Sequence, residues 1–302
     1  MNDLTAGKPQ PSEQTLLTHP DFELGQYIPF VYHFHMLADE ARMGAFQKAI
    51  AATVRSHHVV LELGGGTGVL SYFSAQSAAR VICVERNPEL VQAARRFLSV
   101  NTNGARVQVV QADAFDYLPP CPVDVVICEM LHVGMLREKQ LQMIQSFKAR
   151  YLAQFGLPLP RFIPEAYFQA VQPVQQSFDF HGYVAPGPCF QDPATPQPRT
   201  RELGAPVLYH AGSYEDVIAL DCSWTGQLVM AQAGHFNALR IITKSVLAVL
   251  VQEQRTIDWT NQYLVVPMVQ PMDVAPNELV TVGFRYQAGD PIAALQPRLI
   301  RP

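Results

Sequence analysis

The chain has 302 residues, 48% hydrophobic and 16% charged, with a formal net charge of −4, which is the composition of a folded globular protein and not of a disordered one. No stretch approaches the roughly 18 uninterrupted apolar residues of a membrane span, and 26 acidic against 22 basic residues leave no basic footprint for nucleic acid. At this length about two domains are expected.

The opening residues, 1–20, lack a basic start followed by an apolar core and read as a disordered lead-in, not a secretory signal. Cys83, Cys121, Cys128, Cys189 and Cys222 are odd in number and never in CxxC spacing, which argues against both a zinc site and a disulfide scaffold. The expectation is a cytoplasmic protein, free of membrane and nucleic acid, with no bound metal.

Residues 21–158 alternate helical patterns with short apolar strands. FVYHFHMLADEARMGAFQKAI reads as one helix with Phe30, Phe34, Leu37, Ala41 and Phe46 near one face. The runs HHVVLELG, ARVICVER, VQVVQAD and VDVVICEM read as four strands. GVLSYFSAQSA and NPELVQAARRFLSVN are helices between them, the latter opened by Asn87 as a cap and Pro88 at its first position. This order predicts an α/β domain, a Rossmann-like parallel sheet with helices on both faces. From 159 to 302, AYFQAVQPV, LRIITKSVLAVLV and ELVTVGFRY predict an antiparallel β-barrel-like domain. Within it, the proline-rich stretch 175–206 reads as an extended excursion or arm.

The sharpest local signal is LELGGGTGVL after the first strand, where Gly64, Gly66 and Gly68 allow a tight turn and close approach of a ligand beside a helix N-terminus. The spacing is not the dinucleotide GxGxxG, and no Walker lysine follows. Acidic residues stand at the ends of successive strands: Glu62, then Glu85, suited to ribose hydroxyls, then Asp113 beside Ala114, where an adenine edge would lie, then Glu129. Such a mouth suits a nucleoside carrying a positive centre, and S-adenosylmethionine (SAM) is the expected cofactor, with S-adenosylhomocysteine as product.

ICEMLHVGMLREKQL carries Glu129 and Glu138, nine positions apart. On a continuous helix they would point apart by about 180°, whereas a reversal at Gly134 could bring both to one site. Two carboxylates held together without a metal need a cation between them, and a planar guanidinium accepts bidentate bonding along its edges. From spacing alone the plainer reading is that Glu138 is the first-turn acid of a helix running to about Tyr151.

At these residues the sequence resembles the protein arginine N-methyltransferases, whose double-glutamate loop has this nine-residue separation after the fourth strand. HFHMLADEARMGAF is similar to the helix that family folds over its cofactor. The resemblance implies that Arg42 pairs with the SAM carboxylate, that Met36 lines the cofactor, and that Tyr27 is a substrate-side tyrosine. It further implies that Glu129 and Glu138 are catalytic, that 175–206 is a dimerisation arm giving a homodimer, and that the acceptor is an arginine-containing protein. Where the family carries Thr-His-Trp, this chain has TIDWTNQ, with Asp258 before Trp259, which is expected to add a carboxylate to the substrate site. Two other readings stay open. One is a small-molecule N- or O-methyltransferase on the same scaffold, acting for example on a small guanidino substrate, and the other is a silent SAM-binding interaction protein. His132, between the glutamates, reads as a surface group or a general base, and Cys128 as a buried strand thiol.

Overall fold

The computed structural model describes residues 28, 30–156 and 158–300. Tyr27 and the lead-in at 1–20 lie outside the described residues.

The expected single N-terminal helix is two, α1 (Phe30–Ala38) and α2 (Glu40–Thr53). They part at Asp39, whose backbone is extended and whose Oδ1 accepts from the Arg42 N–H at 2.9 Å. An aspartate that can cap competes with helix continuation. The break re-aims the apolar face. Of the five residues expected on it only Phe46 is fully buried, while Phe30 and Phe34 rest on Phe97 with ring centroids 6.4 Å apart.

The strands β1 (Val59–Leu63), β2 (Arg80–Glu85), β3 (Val107–Gln111), β4 (Val125–Cys128) and β5 (Arg161–Ile163) form one parallel sheet in the order β3-β2-β1-β4-β5. The sheet thus takes one strand more than the four expected, because β5 is too short to carry a periodic signal. Between them run α3 (Val69–Ala75), α4 (Pro88–Ser99) and α5 (Gln140–Phe155). Leu63 of β1 pairs with Val84 on one side and Cys128 on the other. The chain leaves β1 for β2 on one flank and returns to β4 on the other, so this is the switch point where open parallel sheets form a crevice at their strand ends.

The second part is antiparallel. Its larger sheet has the order β10 (Thr200–Glu202), β6 (Ala166–Gln176), β13 (Gly234–Leu250), β15 (Tyr263–Val274), β9 (Cys189–Gln191), with β11 (Val207–Ser213) also on β6 and β14 (Arg255–Thr260) also on β13. A smaller sheet joins β12 (Asp221–Val229), β16 (Leu279–Gln287) and β17 (Arg298–Leu299). The two enclose a shared apolar cluster containing Val171, Leu239, Ile241, Val282 and Phe284, into which Val133 and Leu136 of the first part insert. Within 175–206, β9 and β10 pair back onto the larger sheet, and β7 (Asp179–Phe180) and β8 (Tyr183–Val184) make an exposed hairpin. The main core runs from the parallel sheet through Phe46 and Phe147 to Leu247, Ala248, Ile257 and Trp259, so the β region is packed onto α2 and α5. Among the described residues no helix is long and apolar enough to cross a membrane.

Candidate active site

The turn after β1 is built on left-handed backbone, with φ of +75°, +53° and +80° at Gly64, Gly66 and Gly68. At Gly66 an added Cβ would also meet the His33 ring at 3.1 Å, so only a bare backbone lets α1 lie across it. The Gly66 N–H donates to Glu85 Oε2 at 2.9 Å and the Asn87 N–H to Oε1 at 2.7 Å. Both oxygens of Glu85 are therefore fixed while each keeps acceptor capacity toward the crevice.

That crevice is a cavity of about 690 Å³ lined by Gly64, Gly66, Glu62, Glu85, Asp113 and Ala114 from the strand ends, by His33, Met36 and Arg42 from α1 and α2, and by Glu129 and Glu138. Gly68 is not among its lining residues; it packs on Leu98 and Ala94 of α4. Glu62 is buried, accepts from the Ser71 hydroxyl, and burial pushes its carboxyl up to about 7. Asp113 is partly committed to its own loop, accepting from the Phe115 N–H at 2.9 Å and lying 3.6 Å from Arg86 Nη1. Three buried polar atoms on residues of this wall, His33 Nε2, Arg42 Nε and Glu129 Oε1, have no hydrogen-bond partner among the described residues.

Glu129 follows β4 directly, and α5 does not begin until Gln140, with no acid in its first turn. Glu138 therefore stands ahead of the helix and does not support it. The intervening loop coils back through three left-handed residues, Gly134, Met135 and Arg137, with φ of +70°, +52° and +60°. The β region holds it in that shape. The Gly134 N–H donates to Thr243 Oγ1 at 2.8 Å, and Tyr286 OH donates to the Gly134 carbonyl at 2.8 Å. The Arg137 N–H donates to the Asp290 carbonyl at 2.8 Å, and Asn261 Nδ2 donates to the Leu131 carbonyl at 3.0 Å. At its base, Gln140 Oε1 accepts from the Met130 N–H at 2.8 Å and from the buried Cys128 thiol at 3.3 Å.

Both glutamates are poorly solvated. Burial raises the Glu129 carboxyl, and the Arg42 guanidinium, ion-paired to Oε2, opposes the rise. Glu138 is pushed up to about 8 by burial and by the charge of Glu129. Two carboxyls in a dry site, one raised by the charge of the other, favour one shared proton or one bound cation.

A second cavity, about 420 Å³, meets the first along Met36, Arg42 and Glu138. Trp259 lines it; the indole is buried against Phe46 at 6.3 Å, with the Arg42 guanidinium 5.2 Å from its ring centroid. Asp258, its neighbour on β14, is on the opposite face, where strand alternation puts it. It pairs with Lys244 at 2.6 Å and lines neither cavity, so no carboxylate is added to the site there. His132 lines this second cavity instead of the surface, its ring Nδ1–H donating to the Val133 carbonyl at 2.9 Å and burial lowering its pKa to about 4. Phe190, Asn261, Gln262 and Arg137 also line it. Sequence reasoning missed all four, because Phe190 comes from the proline-rich excursion and the rest from loops that no periodic pattern marks.

A family model described as a methyltransferase domain matches residues 60–154. An uncharacterized protein of Methanothermobacter thermautotrophicus is 29% identical over 269 residues, covering 89% of this chain and 97% of that one. Protein arginine N-methyltransferase 1 of Dictyostelium discoideum is 29% identical over 147 residues, 48% of this chain and 43% of its own. Among solved structures, the Trypanosoma brucei PRMT1 enzyme-prozyme heterotetrameric complex with AdoHcy superposes with a TM-score of 0.70 at 17% identity, covering 85% of this chain and 88% of that one, which is a likeness of fold. The chain is a SAM-dependent methyltransferase of class I, with a parallel sheet followed by an antiparallel β region as in the protein arginine methyltransferases.

Proposed function

We propose that the enzyme methylates a guanidino nitrogen, with Glu129 and Glu138 as the catalytic pair. One observation carries this reading: Glu138 stands where the two cavities meet, and Glu129, on the wall of the first, has an Oε1 with no partner among the described residues. The first cavity suits SAM. Arg42 Nε offers a buried donor for its carboxylate, Glu85 offers acceptors for ribose hydroxyls, and Met36, Gly64, Gly66, Asp113 and Ala114 wall the nucleoside. Glu62 supports the turn from beneath through Ser71.

When bound, SAM supplies an electrophilic sulfonium methyl group. The chain's own residues orient the nucleophile. A guanidinium keeps its proton near neutrality and is a poor nucleophile. Glu129 and Glu138 hold it on two sides and draw its positive charge toward them, leaving electron density on the nitrogen turned to the first cavity. One of the carboxylates takes the proton that this nitrogen sheds. Trp259 excludes water at the far wall. Positioning and electrostatics in a dry site supply the acceleration. The hairpin of β7 and β8, with Phe180, Tyr183 and Val184 exposed, is the surface that a second copy would cover in a homodimer.

The test uses methyl-labelled SAM and a host-cell lysate, with label followed separately into macromolecules and small molecules and the products hydrolysed for methylarginine. Glu129→Gln is expected to keep SAM binding and lose most transfer. Equal activity of the mutant on a guanidino acceptor sinks the assignment.

A further inference from the structure

Resting on that reading, we propose that the acceptor carries an anionic group, a carboxylate, which docks on Arg137 beside the glutamates. Arg137 lines the second cavity and not the first. Every other described arginine has a hydrogen bond, an ion pair or a ring contact. The Arg137 side chain has none of these among the described residues, although it is half-buried and next to Glu138 in the chain.

Its placement is enforced. The backbone at Arg137 is left-handed, φ +60°, a conformation that side-chain-bearing residues adopt only when their surroundings impose it, and the Asp290 carbonyl anchors its N–H at 2.8 Å. Glu138 feels the charge of this guanidinium, yet no carboxylate among the described residues bonds it directly, so its N–H groups stay open at the cavity to a counter-ion that arrives with the ligand. Asp39 and Glu138 line the same cavity but form no ion pair with Arg137 among the described residues, and two polar neighbours are committed elsewhere. His132 has burial holding its pKa down, so it stays neutral, and its Nδ1–H is engaged by its own backbone. Asn261 is committed to the Leu131 carbonyl. The acceptor that suits this wall bears a guanidinium for the two carboxylates and a carboxylate for Arg137. A purely cationic acceptor brings a second positive charge toward Arg137 and is disfavoured.

Two sources offer that carboxylate: the free acid of a small guanidino compound, or an acidic side chain beside the target arginine of a peptide. The experiment measures kcat/KM for two matched pairs. One is free arginine against agmatine, which lacks the carboxylate; the other is an arginine peptide with aspartate next to the target against the same peptide with asparagine. The carboxylate-bearing member is expected to win by at least about tenfold in one pair, the scale of one charge-assisted hydrogen bond. Preference within the arginine–agmatine pair identifies the small acid, and preference confined to the peptides identifies the neighbouring side chain. In Arg137→Gln the ratio is expected to fall to about twofold or less, while Arg137→Lys keeps part of it. A ratio taken within one protein is insensitive to how much of the variant folds. Equal turnover within both pairs, or a preference that survives in Arg137→Gln, overturns the proposal and leaves the guanidino reading standing. Absence of transfer to all four acceptors, with transfer to a guanidine-free nucleophile, overturns the guanidino reading and this proposal together.

Discussion

Tyr286→Phe tests whether the β region holds the loop between Glu129 and Glu138 in shape. The hydroxyl of Tyr286 is buried, donates to the Gly134 carbonyl at 2.8 Å, and meets Tyr209 OH at 2.8 Å and Gln169 Oε1 at 3.1 Å. Removing one oxygen opens almost no cavity, so the cost is that of a buried carbonyl deprived of its donor, about 1–3 kcal/mol. Thr243→Val is the matched change on the other side of the same residue, removing the acceptor of the Gly134 N–H at 2.8 Å without loss of volume. Both bonds fix one peptide between Glu129 and Glu138, so the pair should couple non-additively in a double-mutant cycle. Urea unfolding reads the stability loss, and single-turnover methyl transfer reads the loop. Each variant is expected to lose about tenfold in transfer, since 1.4 kcal/mol is a factor of ten, while SAM affinity changes less than about twofold. The reason is that neither residue lines a cavity. A stability loss with undiminished transfer would refute the view that these bonds position the glutamates.

Glu138 gives a pH dependence whose sign follows from its raised carboxyl. The folded protein keeps that proton up to about 8, so kcat/KM for a guanidinium acceptor should rise about tenfold per pH unit below it and level off above; a flat profile from pH 6 to 8 contradicts the assignment. The same group lowers stability as pH climbs from the ordinary carboxylate range to about 8, so Glu138→Gln should stabilise the protein more at pH 9 than at pH 5 in thermal melts. Gly66→Ala forces a side chain into left-handed backbone and onto the His33 ring, a cost of about 1–2 kcal/mol. Calorimetry should show SAM binding weakened by about tenfold; an unchanged Kd would mean that α1 is not held over the turn.

How far the sequence could be read depended on the range of the forces involved. The turn after β1 and Glu85 were legible because glycine and a strand-end acid act within about twenty residues, and the Gly66 N–H to Glu85 bond spans 19 positions. The break at Asp39 was hidden because a capping aspartate sits inside a run that keeps helical period on both sides. Glu138 shows the limit most clearly. Its place ahead of α5 depends on Met135 and Arg137 taking left-handed backbone, which neither residue type advertises, and on Thr243 and Tyr286, separated from Gly134 by 109 and 152 positions. Only the family resemblance, and not the spacing, pointed there. Asp258 was a different kind of miss, for its signal was present in the chain. Ile257 and Trp259 are both buried and flank it on β14, so once that run is taken as a strand its alternation turns Asp258 away from any pocket that Trp259 walls. The second cavity thus receives no acid from Asp258. The charged groups that line this cavity and not the first are Asp39 and Arg137, and Arg137 sits at a loop position where only the assembled fold shows which way the side chain is sent.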